Sequence, residues 1–457
     1  MPHDYRRIAD RIAADITAGR LRPGERLPPQ RKFARRHGIA ASTAERAYGE
    51  LVRRGLVVGE VGRGTFVRAA DGAPAGRALT EVTDTETVTA LASGAEATVN
   101  LELNYPSAPG QSELLAPALA PLLRPDVLTE ALRPAPATGT AAARAAVAAL
   151  LSTPGWRPAP EQLLFTGNAR QAIAAALASL VRPGGRVGVE PLTYPLVKEI
   201  AARLGITLVP LESDDEGLRP QSVRGRRLSA LYLQPTLHNP TSVSMTAERR
   251  HQLAEVVGEL NLPVVEDRIW SFLDGSDGSG PDPLAAHAPH LTHVVDGLSK
   301  RVAPGLTVGF LVVPERRVEA VGEAVRSGGW SAGRFALEAG VRWIEDGTVG
   351  RLVAAKRADA VLRQRLVAEC LDGFRVRTDP RACFAWWELP APWRADTFTA
   401  AAAARGIAVT PGRAFAVDPH RTPDAVRLGL ASAAVPELAR ALRTLAGLAG
   451  GQSSRPS

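Results

Sequence analysis

The stretch DGLSKRVAPGLTVGF (residues 296–310) decides how the rest of the chain is read. Its start continues the apolar run LTHVV, so the segment up to Gly297 reads as a strand, and Pro304-Gly305 further on is a turn signal. Lys300 stands between the two. Only four lysines (Lys32, Lys198, Lys300 and Lys356) occur among the 55 basic residues, the rest being arginine. Ligands of an open parallel sheet sit outside the carboxyl ends of its strands. Lys300 is therefore a candidate reactive amine.

Working outward, strand patterns alternate with helical ones. LLFT (163–166), RVGVE (186–190), TLVPL (207–211), ALYLQ (230–234), PVVED (263–267), HVVDG (293–297) and GFLVV (309–313) read as strands. AAARAAVAALLS (141–152), QAIAAALASLV (171–181), PLVKEIAARLG (195–205) and RRHQLAEVVGEL (249–260) read as helices. Such alternation predicts a largely parallel sheet covered on both faces, an α/β body. Residues 350–440 read as a smaller α+β part with a long helix and the strands FRVRT, CFAWWEL and AVRLGLA.

Five strand ends carry chemistry. LLFT runs into Gly167-Asn168-Ala169-Arg170 at a helix start, whose free amides suit a phosphate. RVGVE leads to the ring of Tyr194, ALYLQ to the amide of Asn239, LPVVE to the carboxyl of Asp267, and HVVDG to Ser299 and Lys300. An anion cradle, a ring, an amide, a carboxylate and an amine are what a pyridoxal phosphate site requires: the amine bonds the aldehyde and the carboxylate keeps the pyridine nitrogen protonated.

The net charge of +8 lies at one end. Residues 1–68 hold 15 basic and 7 acidic residues, a balance of +8, which leaves 40 against 40 for the remainder. A neutral body with a basic head suggests that the head meets a polyanion. No apolar run approaches the roughly 20 residues a bilayer needs, and MPHDYRRIAD lacks an export signal's apolar core. Cys370 and Cys383 give neither a disulfide framework nor zinc spacing, so a soluble, cytoplasmic protein without a metal site is expected.

In the head, Ile8, Ile12 and Ile16 predict a helix over 4–18 ended by Gly19. PQRKFARRH predicts a second helix broken by Gly38, and Ser42 to Glu45 can form a capping box for a third, running to Arg54. LVVGEV and TFVR flank Gly62-Arg63-Gly64 as a hairpin. Three helices and a two-stranded wing make a winged helix-turn-helix. Its third helix would present Ser42, Thr43 and Arg46 to a major groove, with Arg31 from the preceding helix and Arg63 and Gly64 at a wing tip near the minor groove of double-stranded DNA.

LPPQR (27–31), HGIAAST (37–43), AYGELVRRGLV (47–57) and GRGTFV (62–67) resemble the DNA-binding domain of GntR regulators. That family often has arginines where Ala41 and Glu45 stand, so base reading by those two positions is missing and the operator does not follow from the sequence. VEPLTYP (189–195), HNPT (238–241), VVED (264–267), LSK with PGL (298–306) and AVRLGLA (425–431) resemble a class I/II aminotransferase of fold type I, the pyridoxal phosphate-dependent transferase fold, over about 97–446. The resemblance implies that Lys300 is the Schiff-base lysine, Asp267 the partner of the pyridine nitrogen, Asn239 a donor to the ring hydroxyl and Tyr194 a stacking ring. Asn168, Ala169, Arg170, Ser299 and Trp270 complete the cofactor shell, and Arg427 binds a substrate carboxylate as a fork.

Together the halves resemble the MocR subfamily. The implied function is a DNA-binding transcriptional regulator whose body senses pyridoxal 5'-phosphate, with an amine or amino acid as a further ligand, in a head-to-tail homodimer. The implied divisions are a head (1–68), a linker (69–98), a body (99–446, split into a large part 99–345 and a small part 346–446) and a disordered tail (447–457). An active aminotransferase is the alternative, and a regulator whose body holds no cofactor is a third reading. Departures cluster on the phosphate: Gly297 stands where aminotransferases commonly have serine or threonine, and Thr307 where they have arginine. Arg170 is a substitute for that charge, and Trp270 stands where a tyrosine often reaches the ring oxygen.

Overall fold

The computed structural model describes residues 5–21, 25–60, 64–67, 99–275, 282–305 and 308–451. The expected linker at 69–98, Arg63 and Thr307 lie outside them, as do residues 452–457. The chain divides into two compact units, Met1–Ala78 and Leu79–Ser457.

In the first unit α1 (Tyr5–Thr17), α2 (Gln30–His37) and α3 (Ala41–Arg53) precede an antiparallel wing of β1 (Val57–Glu60) and β2 (Gly64–Val67). Their core is Ala9, Ile12, Leu27, Tyr48, Leu51, Val57 and Val67. Tyr48 packs edge-on against Phe33 and donates its hydroxyl to Pro28 O at 2.7 Å, which ties α3 to the turn before α2. The nearly buried Glu50 accepts from Arg53 and Arg54, and Arg54 reaches Asp10 on α1 at 2.6 Å. Gly38 ends α2 in the left-handed region (φ 62°), where glycine carries no Cβ penalty. The capping box expected at Ser42 is not formed. Ala40, extended and without a side-chain cap, starts α3 directly after the short turn, so Ser42 already lies inside the helix and is exposed.

The second unit contains a seven-stranded sheet. Its strands are β4 (Leu163–Thr166), β5 (Arg186–Val189), β6 (Thr207–Pro210), β7 (Ala230–Leu233), β8 (Val264–Asp267), β9 (Thr292–Gly297) and β10 (Gly309–Val312), in the order β4-β10-β9-β8-β7-β5-β6. Among the described pairings, only β10 runs against its neighbours, β9 and β4; the others are parallel. Side chains alternate between two buried layers. Leu163, Phe165, Val294 and Phe310 face one cluster, and Leu164, Val295 and Leu311 face the other. The first layer is completed by α4 (Ala141–Leu151), α10 (Arg334–Glu345) and α11 (Thr348–Cys370), the second by α5 (Ala169–Leu180), α6 (Pro195–Arg203) and α9 (Val318–Ser327). α7 (Ala247–Glu259) packs on a further core with β7, and α8 (Leu298–Arg301) is a single turn after β9.

A second sheet, β11 (Arg375–Arg377), β12 (Phe384–Glu388), β15 (Ala425–Gly429) and β14 (Thr410–Pro411), is antiparallel. With α12 (Ala395–Ala403) and α13 (Val435–Ala449) it builds a core around Trp387, Phe398, Val426 and Leu442. The sequence reading grouped residues from 99 onward with the large part and ended order at 446. In the structure β3 (Val99–Asn100) pairs with β13 (Ile407–Ala408), Leu101 lies in the smaller part's core, and α13 runs to Ala449.

Candidate functional site

One cavity at the carboxyl ends of the strands is lined by Asn168, Ala169, Arg170, Tyr194, Asn239, Asp267, Trp270, Ser299, Lys300 and Arg427. Every body residue singled out from the sequence for the cofactor or substrate thus faces the same space. Asn104, Tyr105, Ile173, Gln234, Ile269 and Pro304 complete the wall. The sequence reading gave these six no part in the site; they come from the segment that follows β3 or from positions in and beside the motifs.

Lys300 lies on α8, whose Nζ donates to Asn104 O at 2.7 Å and sits 4.1 Å from the Tyr105 ring centroid and 5.1 Å from that of Trp270. A cation over an aromatic face is attracted by the ring quadrupole. Trp270 also stacks on Phe272 and meets Phe384 edge-on. Its indole is a wall of the cavity held by aromatic packing.

Asp267 ends β8 and is buried. Its Oδ2 accepts from the Tyr232 hydroxyl at 2.8 Å and from Gln234 Nε2 at 2.8 Å, and its Oδ1 accepts from Ile269 N at 3.0 Å. Burial raises its pKa against the pull of these donors. A carboxyl so placed gains from a cationic partner that offsets its desolvation. Gln234 also accepts from Asn239 N at 3.2 Å, which links the carboxyl to the amide. Asn239 Oδ1 and Asn104 Nδ2 are buried without a hydrogen-bond partner among the described residues. Buried polar atoms are rarely left so, and a ligand in the cavity would supply what they lack.

Asn168 caps α5 by accepting from Gln171 N at 3.0 Å, which leaves the first-turn amides beside Ala169 and Arg170 at the cavity edge. Arg427, on β15, is fully buried and is not a surface arginine: it donates to Glu102 O at 2.7 Å and to Thr410 Oγ1 at 3.1 Å. At Gly297 a Cβ would lie 2.8 Å from Val308 O. β10 therefore crosses too closely for the serine or threonine that the resemblance led one to expect.

Behind the cavity, the buried Glu190 accepts from Gln234 N at 3.0 Å through Oε1, while Oε2 has no hydrogen-bond partner among the described residues. Burial, with the nearby Asp267 adding, pushes its pKa up to about 7 from 4.5. The folded state then binds more protons than the unfolded one between these values, so this stability is full below 4.5 and lost as pH rises through 7. Glu190→Gln is expected to stabilise the protein at pH 8 by about 3 kcal/mol and to change little near pH 4.5, read from urea midpoints at both pH values.

On the head, Arg31, Ser42 and Arg46 are exposed and Thr43 is half-buried. Lys32, Arg35 and Arg36 on α2 are exposed as well, and the sequence reading gave them no role in DNA contact. Gly64 has φ 126°, a backbone conformation that residues with a Cβ rarely adopt, and the Arg26 side chain lies across it, with Nε 2.6 Å from where a Cβ would be. Among the described residues no helix is long and apolar enough to cross a membrane, and no cluster of His, Cys, Asp or Glu could hold a metal ion.

These two units match known families in the same order. Residues 4–67 match the gntR family of bacterial regulatory proteins, and residues 129–445 match aminotransferase class I and II. The HTH-type transcriptional regulator YdeF of Bacillus subtilis is 29% identical over 93% of this chain and 90% of its own. The HTH-type transcriptional regulator TauR of Rhodobacter capsulatus is 25% identical over 96% of each. LysN, the α-aminoadipate aminotransferase of Thermus thermophilus, solved with N-(5'-phosphopyridoxyl)-L-leucine, superposes with a TM-score of 0.71 at 24% identity over 83% of this chain and 97% of its own. That likeness concerns the fold. The chain belongs to the aminotransferase class I and II family and carries a gntR-type winged helix ahead of it, a combination consistent with the MocR subfamily of transcriptional regulators.

Proposed function

We propose that this transcriptional regulator binds pyridoxal 5'-phosphate at Lys300 and that occupancy of the body sets how the head engages operator DNA. The observation that carries the reading is the single cavity in which Lys300, Asp267, Asn239, Tyr194 and the start of α5 converge. Family membership implies the same cofactor. When bound, the cofactor supplies an aldehyde that captures an amine and a ring that withdraws electrons.

The chain's residues divide the work of holding it. Asp267, fixed by Tyr232, Gln234 and Ile269 N, would keep a proton on the ring nitrogen, and Asn239 would hydrogen-bond the ring hydroxyl. Tyr194 and Trp270 would bound the ring, while the amides at Ala169 and Arg170 would take the phosphate. Gly297 and the sequence at Thr307 provide one hydroxyl and one guanidinium fewer than an aminotransferase has. A charged hydrogen bond is worth about 1.5–3 kcal/mol, so roughly one to two decades of affinity are given up. Reversible occupancy of this kind suits a sensor. Population shift then requires that occupied and empty bodies differ in their effect on the head, in a head-to-tail homodimer or otherwise.

The full-length chain, incubated with pyridoxal phosphate and reduced with borohydride, is expected to carry a pyridoxyl group on the Lys300 peptide, and its DNA affinity is expected to differ with and without the cofactor. Affinity should also fall steeply with salt, by about three decades between 50 and 200 mM if some six phosphates are neutralised. No covalent group in the wild type at excess cofactor, or identical DNA binding in both states, sinks the sensor reading.

A second reading, turnover of an amino acid, draws on Arg427 lining the same cavity, where its guanidinium could fork a substrate carboxylate. Steady keto-acid production from a panel of amino acids, lost in Lys300→Ala, would favour it over sensing alone.

A further inference from the structure

Lys356 lies in the middle of α11 and is fully buried, an unusual place for a lysine. Its Nζ donates to the carbonyl oxygens of Lys300 at 3.0 Å, Arg301 at 3.0 Å and Val302 at 2.7 Å. These carbonyls end α8, a turn of four residues that cannot sustain itself by its own hydrogen bonds. The last carbonyls of any helix lack intrahelical partners, and a cation there both satisfies them and complements the helix dipole. Three acceptors call for three donors, which an ammonium has and a neutral amine lacks.

We propose that Lys356 is a positioning residue for Lys300: its ammonium fixes the turn that presents the Lys300 amine, and its charge makes that amine easier to deprotonate. The inference rests on the reading of Lys300 as the reactive amine. The same helix supports the arrangement elsewhere. Arg357 donates to Phe272 O at 2.6 Å, beyond Asp267 and Trp270, and Arg363 donates to Leu430 O and Ala433 O, just past the strand of Arg427. One rigid element thus holds the backbone beside three groups of the cavity.

The other charged or titratable groups around the pair are fixed in number. Tyr105, Tyr194, Asp267, Arg170 and Arg427 face Lys300 across the cavity. The Asp296–Arg301 ion pair lies beside the turn. The Cys383 thiol, pushed up to about 12 by burial, is neutral beside Lys356. Burial by itself draws Lys356 down to about 7, and the three carbonyl acceptors oppose it by holding the charged form, so that the proposal requires an ammonium that persists while Lys300 titrates. Replacing Lys356 removes one cation and leaves the rest.

The test uses acetic anhydride, which acylates neutral amines only, with peptide mass spectrometry over a pH series; the full-length chain has four lysines to resolve. In Lys356→Met the pH of half-maximal Lys300 acylation is expected to rise by about one unit, because a neighbouring like charge has gone. Lys356→Gln, which keeps N–H donors without charge and so guards against a folding failure of the methionine variant, is expected to shift it likewise. Lys356→Arg is expected to restore the wild-type value. A folded Lys356→Met or Lys356→Gln with an unmoved midpoint overturns the proposal. Borohydride trapping with pyridoxal phosphate in the same wild-type sample separates the two ideas: if trapping fails while the acylation midpoint moves as expected, the cofactor reading falls and the positioning role stands.

Discussion

Replacing Lys300 with alanine is expected to abolish the borohydride-fixed pyridoxyl group, taking it from near one per chain to background. The argument rests on where the four lysines are. Lys32 is exposed on α2 in the head. Lys198 Nζ is occupied by the carbonyls of Ala414 at 2.7 Å and Ala416 at 3.0 Å, and Lys356 by the three carbonyls at the end of α8. Lys300 is the lysine lining the cavity, and its Nζ is held by one carbonyl and two aromatic faces. A pyridoxyl group that persists in Lys300→Ala and maps to Lys32 would mark surface labelling and refute a built site. Intact-mass and peptide measurements read both outcomes.

Glu266→Ala is expected to destabilise the body by at least about 3 kcal/mol, seen as a lower urea midpoint at neutral pH. Glu266 precedes Asp267 on β8 and points to the opposite face. It is fully buried, accepting from Leu284 N at 2.8 Å and facing Arg268 at 3.3 Å and Arg250 at 3.6 Å. Arg250 is itself buried, and its pKa, drawn down to about 10 by desolvation, still leaves it charged at neutral pH. Removing the carboxylate strands a buried cation, which costs more than the pair contributes while intact. Arg250 also donates to Pro235 O at 2.7 Å and Thr236 Oγ1 at 2.9 Å, in the loop that leads to Asn239. Loss of stability in Glu266→Ala should therefore come with weaker cofactor retention. A midpoint within error of wild type would show that the cluster relaxes without cost.

The strands and the residues that follow them were legible because a parallel sheet buried on both faces writes itself as short apolar runs, and its ligand groups must come directly after those runs. That logic found Asn168, Tyr194, Asn239, Asp267 and Lys300 from five separate segments. It could not find Asn104 and Tyr105, which reach the cavity because β3 pairs with β13 some three hundred residues away, a contact with no local signature. Gln234 was quoted as a strand end but given no task, since a glutamine's partners are visible only in three dimensions. The reversed direction of β10 was hidden for a related reason: GFLV is buried throughout, so its pattern is the same in either orientation. The false capping box came from a sound local motif overridden by an earlier helix start at Ala41. Lys356 was passed over as an ordinary helix lysine, for nothing in AAKRADAV says that one cation turns inward.

β3 has a mechanical consequence. Within a few residues of β3 the backbone offers Glu102 O to Arg427 and Asn104 O to Lys300. The segment that β13 pins to the core of the smaller part is therefore also a wall of the cavity. A ligand that draws Lys300 or Arg427 from these carbonyls would tug directly on the strand that seats the smaller part, with no relay of side chains in between.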